Sequence, residues 1–83
     1  PTVSSISPNT GTTAGGEVVT ITGTGFVDGA TVTIGGVPAT GVTFNSSTSI
    51  TVTTPAGAAG AQDVVVTNLD AQTGTLVGGF TYS

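Results

Sequence analysis

The sequence predicts an all-β domain of about seven short strands, and three observations predict it. Apolar residues alternate with hydroxyl-bearing ones at period two, Val and Ile dominate the apolar set, and glycine and proline interrupt the chain at short intervals. Period-two alternation puts one side-chain set on each face of an extended strand, so one face can be buried and the other wet. Val and Ile are stiff at χ1 and fit a pleated surface better than a helix. Straight-chain helix formers are nearly absent, with two Leu, two Gln, one Glu and no Met, Lys or Arg. Helices of any length are therefore not expected. The 83 residues suffice for one core only, so residues 1–83 read as a single domain.

The first predicted strand is Thr2–Ser7, closed by the turn-rich Pro8-Asn9-Thr10-Gly11. Its apolar residues, Val3 and Ile6, have opposite parity, which predicts a bulge between them. The second, Glu17–Gly23, turns Val19 and Ile21 one way and Thr20 and Thr22 the other. Phe26 follows the Gly23-Thr24-Gly25 break and is placed to plug the end of a core. The third, Ala30–Ile34, buries Val32 and Ile34. Gly35-Gly36 then reads as a tight hairpin, leading into a return strand Val37–Phe44 that Pro38 marks as an edge. The fifth, Ser49–Thr54, contributes Ile50 and Val52 before Pro55 stops it. A small-residue loop, Ala56–Ala61, leads to the sixth, Gln62–Asn68, with Val64 and Val66 inward. The last, Thr75–Tyr82, supplies Leu76, Phe80 and Tyr82, with a bulge at Gly78-Gly79. Such spacing fits a sandwich or a barrel, and periodicity does not choose between them.

Charge excludes several function classes. The net charge is −4 with no basic residue, which removes the phosphate-neutralising term behind nucleic-acid affinity and the attraction to anionic lipid. No nucleic-acid partner is expected. No apolar run approaches a membrane span, so no membrane insertion is expected either. No basic leader precedes Pro1, so an export signal would lie outside this segment. The absence of cysteine excludes a disulfide framework and a thiolate site.

One set of residues is more specific. Pro1-x-Val3-x-x-Ile6-x-Pro8-x-x-Gly11, Gly15-Gly16-x-x-Val19-x-Ile21-x-Gly23-x-Gly25-Phe26, Thr54-Pro55 and the final Phe80-x-Tyr82 together resemble the IPT/TIG family across essentially the whole chain. The resemblance implies an immunoglobulin-like β-sandwich of the E-set type, without the inter-sheet disulfide and core Trp of antibody domains. Members of that family occur in plexin-type receptors, in Rel-type transcription factors, and as tandem modules of bacterial surface proteins and carbohydrate-active enzymes. The Thr, Gly and Ala richness here is similar to the bacterial tandem type. The ends of the family pattern coincide with Pro1 and Ser83, so the chain reads as one unit of a longer polypeptide or assembly. The matched residues have mechanical tasks: Gly15-Gly16 permit a positive φ, and Gly23 and Gly25 let the chain fold back so that Phe26 reaches the interior.

Residues able to do chemistry are few. Without His, Cys, Lys or Arg, acid–base work would fall to Glu17, Asp28, Asp63, Asp70 and Tyr82, and no hydroxyl nucleophile has a usual base. No catalytic residue is assigned, and the chain reads as a non-enzyme. Asp28, Asp63 and Asp70, in or near predicted turns, are the candidate oxygen ligands for Ca²⁺, but they form no acidic loop motif. They read as solvated turn carboxylates, with no metal and no cofactor. Asn45-Ser46-Ser47 matches the glycosylation acceptor pattern. The outward pairs Thr20/Thr22, Thr31/Thr33 and Thr51/Thr53 look like an ice-binding array, although alternation alone puts Thr on any half-wet sheet. Of Phe26, Phe44, Phe80 and Tyr82, at least three are needed by the core, which leaves little for a sugar-stacking platform.

The reading is a non-catalytic structural module of a cell-surface or extracellular protein, a spacer or assembly subunit of a filament, array or virion decoration. Its expected partners are neighbouring copies or domains. The alternative is an adhesin or carbohydrate-binding accessory module. In that case the loops after Gly23, around Asn45 and over Ala56–Ala61 contact a glycan or surface protein.

Overall fold

The alternating segments all become strands. The computed structural model describes all 83 residues, Pro1–Ser83. They form β1 (Thr2–Ser7), β2 (Thr10–Gly11), β3 (Val18–Thr24), β4 (Thr31–Ile34), β5 (Val37–Pro38), β6 (Thr40–Ser46), β7 (Ser49–Thr53), β8 (Gly60–Thr67) and β9 (Thr73–Tyr82), with no helix. One sheet has the order β1-β3-β7-β6 and the other β2-β9-β8-β4-β5. Every pairing is antiparallel except β2 with β9.

The alternation predicts seven strands where the structure has nine, and the difference lies where the chain changes sheets. The return strand expected over Val37–Phe44 is two strands in different sheets. β5 pairs with β4, Ala39 N–H donates to Val32 O at 2.8 Å, and from Thr40 the chain pairs instead with β7. Pro38 is a non-hydrogen-bonded partner of Thr33, so its missing N–H falls on the edge side away from β4, and past Ala39 the β6–β7 register slips between Thr40 and Thr43. A strand that crosses between layers is how a sandwich puts consecutive segments on opposite faces. The first turn behaves alike: past Pro8, Thr10 and Gly11 leave β1's sheet and pair with Thr81 and Tyr82.

Both predicted bulges are present. The β1–β3 register shifts between Val3 and Ser5, which lets Val3 and Ile6 face the same core. The β8–β9 register runs from Gln62 opposite Phe80 to Val64 opposite Leu76, so Val77-Gly78-Gly79 face Asp63 alone. Asp63 Oδ1 closes that bulge by accepting from Gly78 N–H at 2.9 Å. The Gly35-Gly36 hairpin joins Ile34 to Val37 with φ of 62° and 81°, the two successive positive values that a two-residue turn of matching twist requires.

Between the sheets lies one cluster of 14 buried residues, built on Val19, Ile21, Val32, Ile34, Ile50, Val52, Val64, Val66 and the rings of Phe26, Phe80 and Tyr82. Fully burying one such side chain contributes about 1.5–3 kcal/mol. Phe80 and Tyr82 meet edge to face, with centroids 5.0 Å apart and planes at 77°. Phe26 reaches the core because Gly23 is bare: a Cβ there would collide with Thr2 O and with Phe26 Cζ.

The strands run along the long axis of a body measuring 31 × 21 × 18 Å, since five strands abreast span only about 20 Å. Pro1 lies at one pole with the 24–30 loop and the 47–48 and 68–72 turns, held together by Phe26 N–H to Ser47 O at 2.9 Å and Asn68 Nδ2–H to Gly25 O at 2.8 Å. Ser83 lies at the opposite pole, its N–H bonded to Gly11 O at 2.9 Å.

Two substitutions test this account. Gly23→Ala is expected to destabilise by about 3 kcal/mol through overpacking, read from urea melts. Ala71 sits at φ 69°, a conformation that costs an L-residue about 1–2 kcal/mol. Ala71→Gly is therefore expected to raise stability by about 0.5–1 kcal/mol, after glycine's greater unfolded-state entropy is subtracted.

Candidate functional site

The four carboxylates are dispersed. Asp28 lies in the turn closed by Ala30 N–H to Val27 O, and Asp70 in the β8–β9 turn, where its Oδ1 accepts from Gln72 N–H at 3.1 Å. Glu17 is at the other pole, its backbone N–H bonded to the buried Thr54 Oγ1 at 3.1 Å. Asp63 is on β8, within the strand expected over Gln62–Asn68, where it clasps the β9 bulge. No three acidic side chains gather.

Tyr82 is the remaining titratable side chain of interest. It is 1% exposed, and its Oη donates to Pro55 O at 2.8 Å. Burial disfavours the phenolate and pushes the phenol above its ordinary pKa. The hydrogen bond pins the end of β9 to the loop after β7, a structural task that only the fold makes visible.

The three Thr pairs do not form one array. Thr20 faces Thr51, Thr22 faces Ser49 and Val18 faces Thr53, which puts Thr20/Thr22 and Thr51/Thr53 on the outer face of the β1-β3-β7-β6 sheet. Ser7 and Thr43 extend the same row to both edges. Thr31 and Thr33 belong to the outer face of the other sheet, opposite Thr67 and Val65. Asn45 lies on β6, not in a loop, and its Nδ2 donates to Ser49 Oγ at 3.3 Å and Thr51 Oγ1 at 2.8 Å. Three of the four aromatics are buried, as the core demanded, and Phe44 is the exception at 37% exposure.

The loops proposed for partner contact also divide. Those after Gly23 and beside Asn45 meet at the pole of Pro1, joined by Phe26 N–H to Ser47 O, whereas Ala56–Ala61 is at the pole of Ser83, where Gly57 N–H bonds Thr13 O at 3.0 Å. Two concavities flank the Gly35-Gly36 hairpin. One, of about 430 Å³, is open and polar, with Thr33, Gln62 and Asp63 in its wall. The other, of about 180 Å³, is walled by Ile34, Val37, Gly57 and Tyr82. Neither contains the pair of titratable groups that acid–base catalysis would use.

A feature with little sequence signal is the difference between the two flanks. On one, β1 lies against β9, and Gly74 is buried so closely beneath Pro1 and Thr2 that it leaves no room for a Cβ. On the other, β5 and β6 leave the seam ajar, with Val37, Val42 and Phe44 partly exposed.

Two antiparallel-based sheets closed over an aliphatic seam, with a strand switching layers at Pro38 and a cysteine-free core, define the class as an immunoglobulin-like β-sandwich. The chain belongs to the IPT/TIG domain family, whose profile matches residues 1–82. It is 45% identical to fibrocystin-L of Mus musculus over 67 residues, 80% of this chain and 2% of that protein. It is 42% identical to fibrocystin-L of Homo sapiens over the same length, again 2% of that protein. Among solved structures, two of the plexin A4 extracellular region superpose with a TM-score of 0.83 and 28% identity, covering 99% of this chain and 8% and 7% of theirs. The chain thus spans a small fraction of each relative. The named curated relatives are mammalian, so the bacterial affinity expected from composition draws no support from them.

Replacing the buried phenol separates its two effects. Tyr82→Phe is expected to cost about 1 kcal/mol at neutral pH by leaving Pro55 O without its donor. Because the folded-state pKa is raised, the phenol's contribution is complete below about pH 10 and is lost as pH rises through the folded value. Melting temperature followed from pH 8 to 12 is expected to fall more steeply for the natural protein than for Tyr82→Phe.

Proposed function

We propose that the domain is a non-catalytic spacer of an extracellular or cell-surface protein or assembly, holding its neighbours at a set distance. The observation that carries this reading is the position of the termini, Pro1 at one pole and Ser83 at the other of a 31 Å body. A polypeptide entering at Pro1 leaves a full domain length further on, so consecutive copies add length instead of folding back. Support comes from the surface, where hydroxyls and amides cover the sheet faces and no basic group is present. The plexin A4 structures are of an extracellular region, which agrees with a role outside the cell. The second reading, a glycan-binding accessory, draws on the polar concavity beside Asp63 and Gln62. It ranks below the spacer because no exposed ring lies there to stack on a sugar.

The spacer reading is tested by joining two, three and four copies end to end and measuring small-angle scattering at high dilution. The maximum dimension is expected to grow by nearly the domain's long axis, 31 Å, per copy. Increments below half of that would mean that the copies fold back on one another, and the spacer reading would fail. Binding on a glycan array, with affinity lost in Asp63→Asn, would favour the second reading.

A further inference from the structure

We propose that the β5–β6 flank is a homotypic interface, on which a second copy of this chain adds its own β6 antiparallel to β6 and closes the seam over Val37, Val42 and Phe44. The inference deepens the spacer reading, since it gives a domain that is linked end to end a side on which to pair.

The β6 edge differs from the other edges of the fold. β5 and β2 are two residues each, and β1 is packed against β9. β6 has seven residues, every one of them exposed, and its outer row of backbone groups has no strand beside it. Such an edge is a template for another strand, and natural proteins usually guard it with lysine, of which this chain has none. Phe44 pairs with the buried Ile50 and Val37 with the buried Ile34. Partners across a ladder share a face, so both side chains point into the gap between the sheets, and Val42, two residues from Phe44, joins them. A strand added to β6 would cover this apolar gap.

Charge selects a second copy as the occupant. Each chain carries −4, yet no charged residue occurs between Asp28 and Asp63, the stretch that forms β4 to β7. Asp28 and Asp70 are at one pole, Glu17 is at the other, and Asp63 is on the outward-facing side of β8, closing the bulge. Two copies that repel elsewhere can therefore meet here without bringing carboxylates together. An antiparallel edge is complementary to itself about a twofold axis, so the contact makes one continuous eight-stranded sheet from two four-stranded ones. A flank 31 Å long and about 20 Å deep buries on the order of 1,000 Å² in total between two copies, the threshold for a specific but transient contact. The register shifts flanking Thr43-Phe44 shorten the regular run and hold the contact to a reversible pair.

Sedimentation velocity on the 83-residue chain, from micromolar to about 1 mM, is expected to show a monomer–dimer equilibrium. Val42→Lys, which puts a guard into the seam, is expected to weaken it by at least about tenfold. Val77→Lys makes the same charge change on the β9 bulge, at a site 81% exposed, and is expected to change it by less than about twofold. Amide hydrogen exchange read by NMR is expected to show protection rising with concentration along Thr40–Ser46 and on no other edge; this arm holds even where a variant folds poorly. A monomer throughout, equal weakening by both lysines, no weakening by Val42→Lys, or protection on another edge would each overturn the proposal. The end-to-end scattering increments at high dilution do not depend on this contact, so failure of the flank and failure of the spacer are separately visible.

Discussion

Burial of one thin apolar layer is the constraint on which everything else in this molecule depends. The chain has no disulfide to shorten its unfolded state and no lysine or arginine to form side-chain ion pairs. Stability must come from closing two sheets over 14 residues, mostly branched aliphatics already stiff before folding. That requirement explains the strict alternation along β3, β4, β7 and β8, because a one-residue slip would turn every aliphatic outward. It also explains the irregularity between Val3 and Ser5, where parity would otherwise fail.

The same economy shapes the surface. With no charged residue on any strand but β8 and four carboxylates in all, hydroxyl groups carry the contact with water. Many of them satisfy one another or the backbone, as in Thr2 Oγ1 with Thr24 Oγ1 at 2.6 Å and Asn45 with Thr51. Where polar groups enter the interior they act as ties between loops. Thr54 Oγ1 accepts from Glu17 N–H, Asn68 Nδ2 donates to Gly25 O, and Tyr82 Oη donates to Pro55 O. Asn68 Oδ1 is the one buried side-chain atom left without a partner. These ties secure both poles, so the places where a neighbouring domain would meet this one are held firmly.

The two flanks give the domain a direction across its width as well as along its length. Where β1 meets β9 the sheets nearly touch, and where β5 hands the chain to β6 they part, because a strand leaving one layer for the other cannot also cover the gap it crosses. The crossing at Ala39 is therefore both the topological step that makes a sandwich and the reason that Val37, Val42 and Phe44 stay partly in solvent. The fold and the open flank have a common cause in this change of layer after Ala39.

By itself the sequence determined the class of structure and most of its inventory. Alternation named the buried residues of β3, β4, β7 and β8, paired glycines located the 35–36 hairpin and the β9 bulge, and parity located the bulge in β1. It also determined the poverty of chemistry, since missing residue types need no structure to be counted. Only the tertiary structure decided which strands share a sheet, where the chain changes layers, and that Asp63 works as a clasp on β8. It alone divided the Thr pairs between two faces and the contact loops between two poles, and it alone left one flank open. The physical reason is range. Periodicity and turn chemistry act over a few residues and are written in the local order of the chain, whereas sheet membership and edge exposure depend on contacts between residues distant in sequence, which only closure of the two layers brings together.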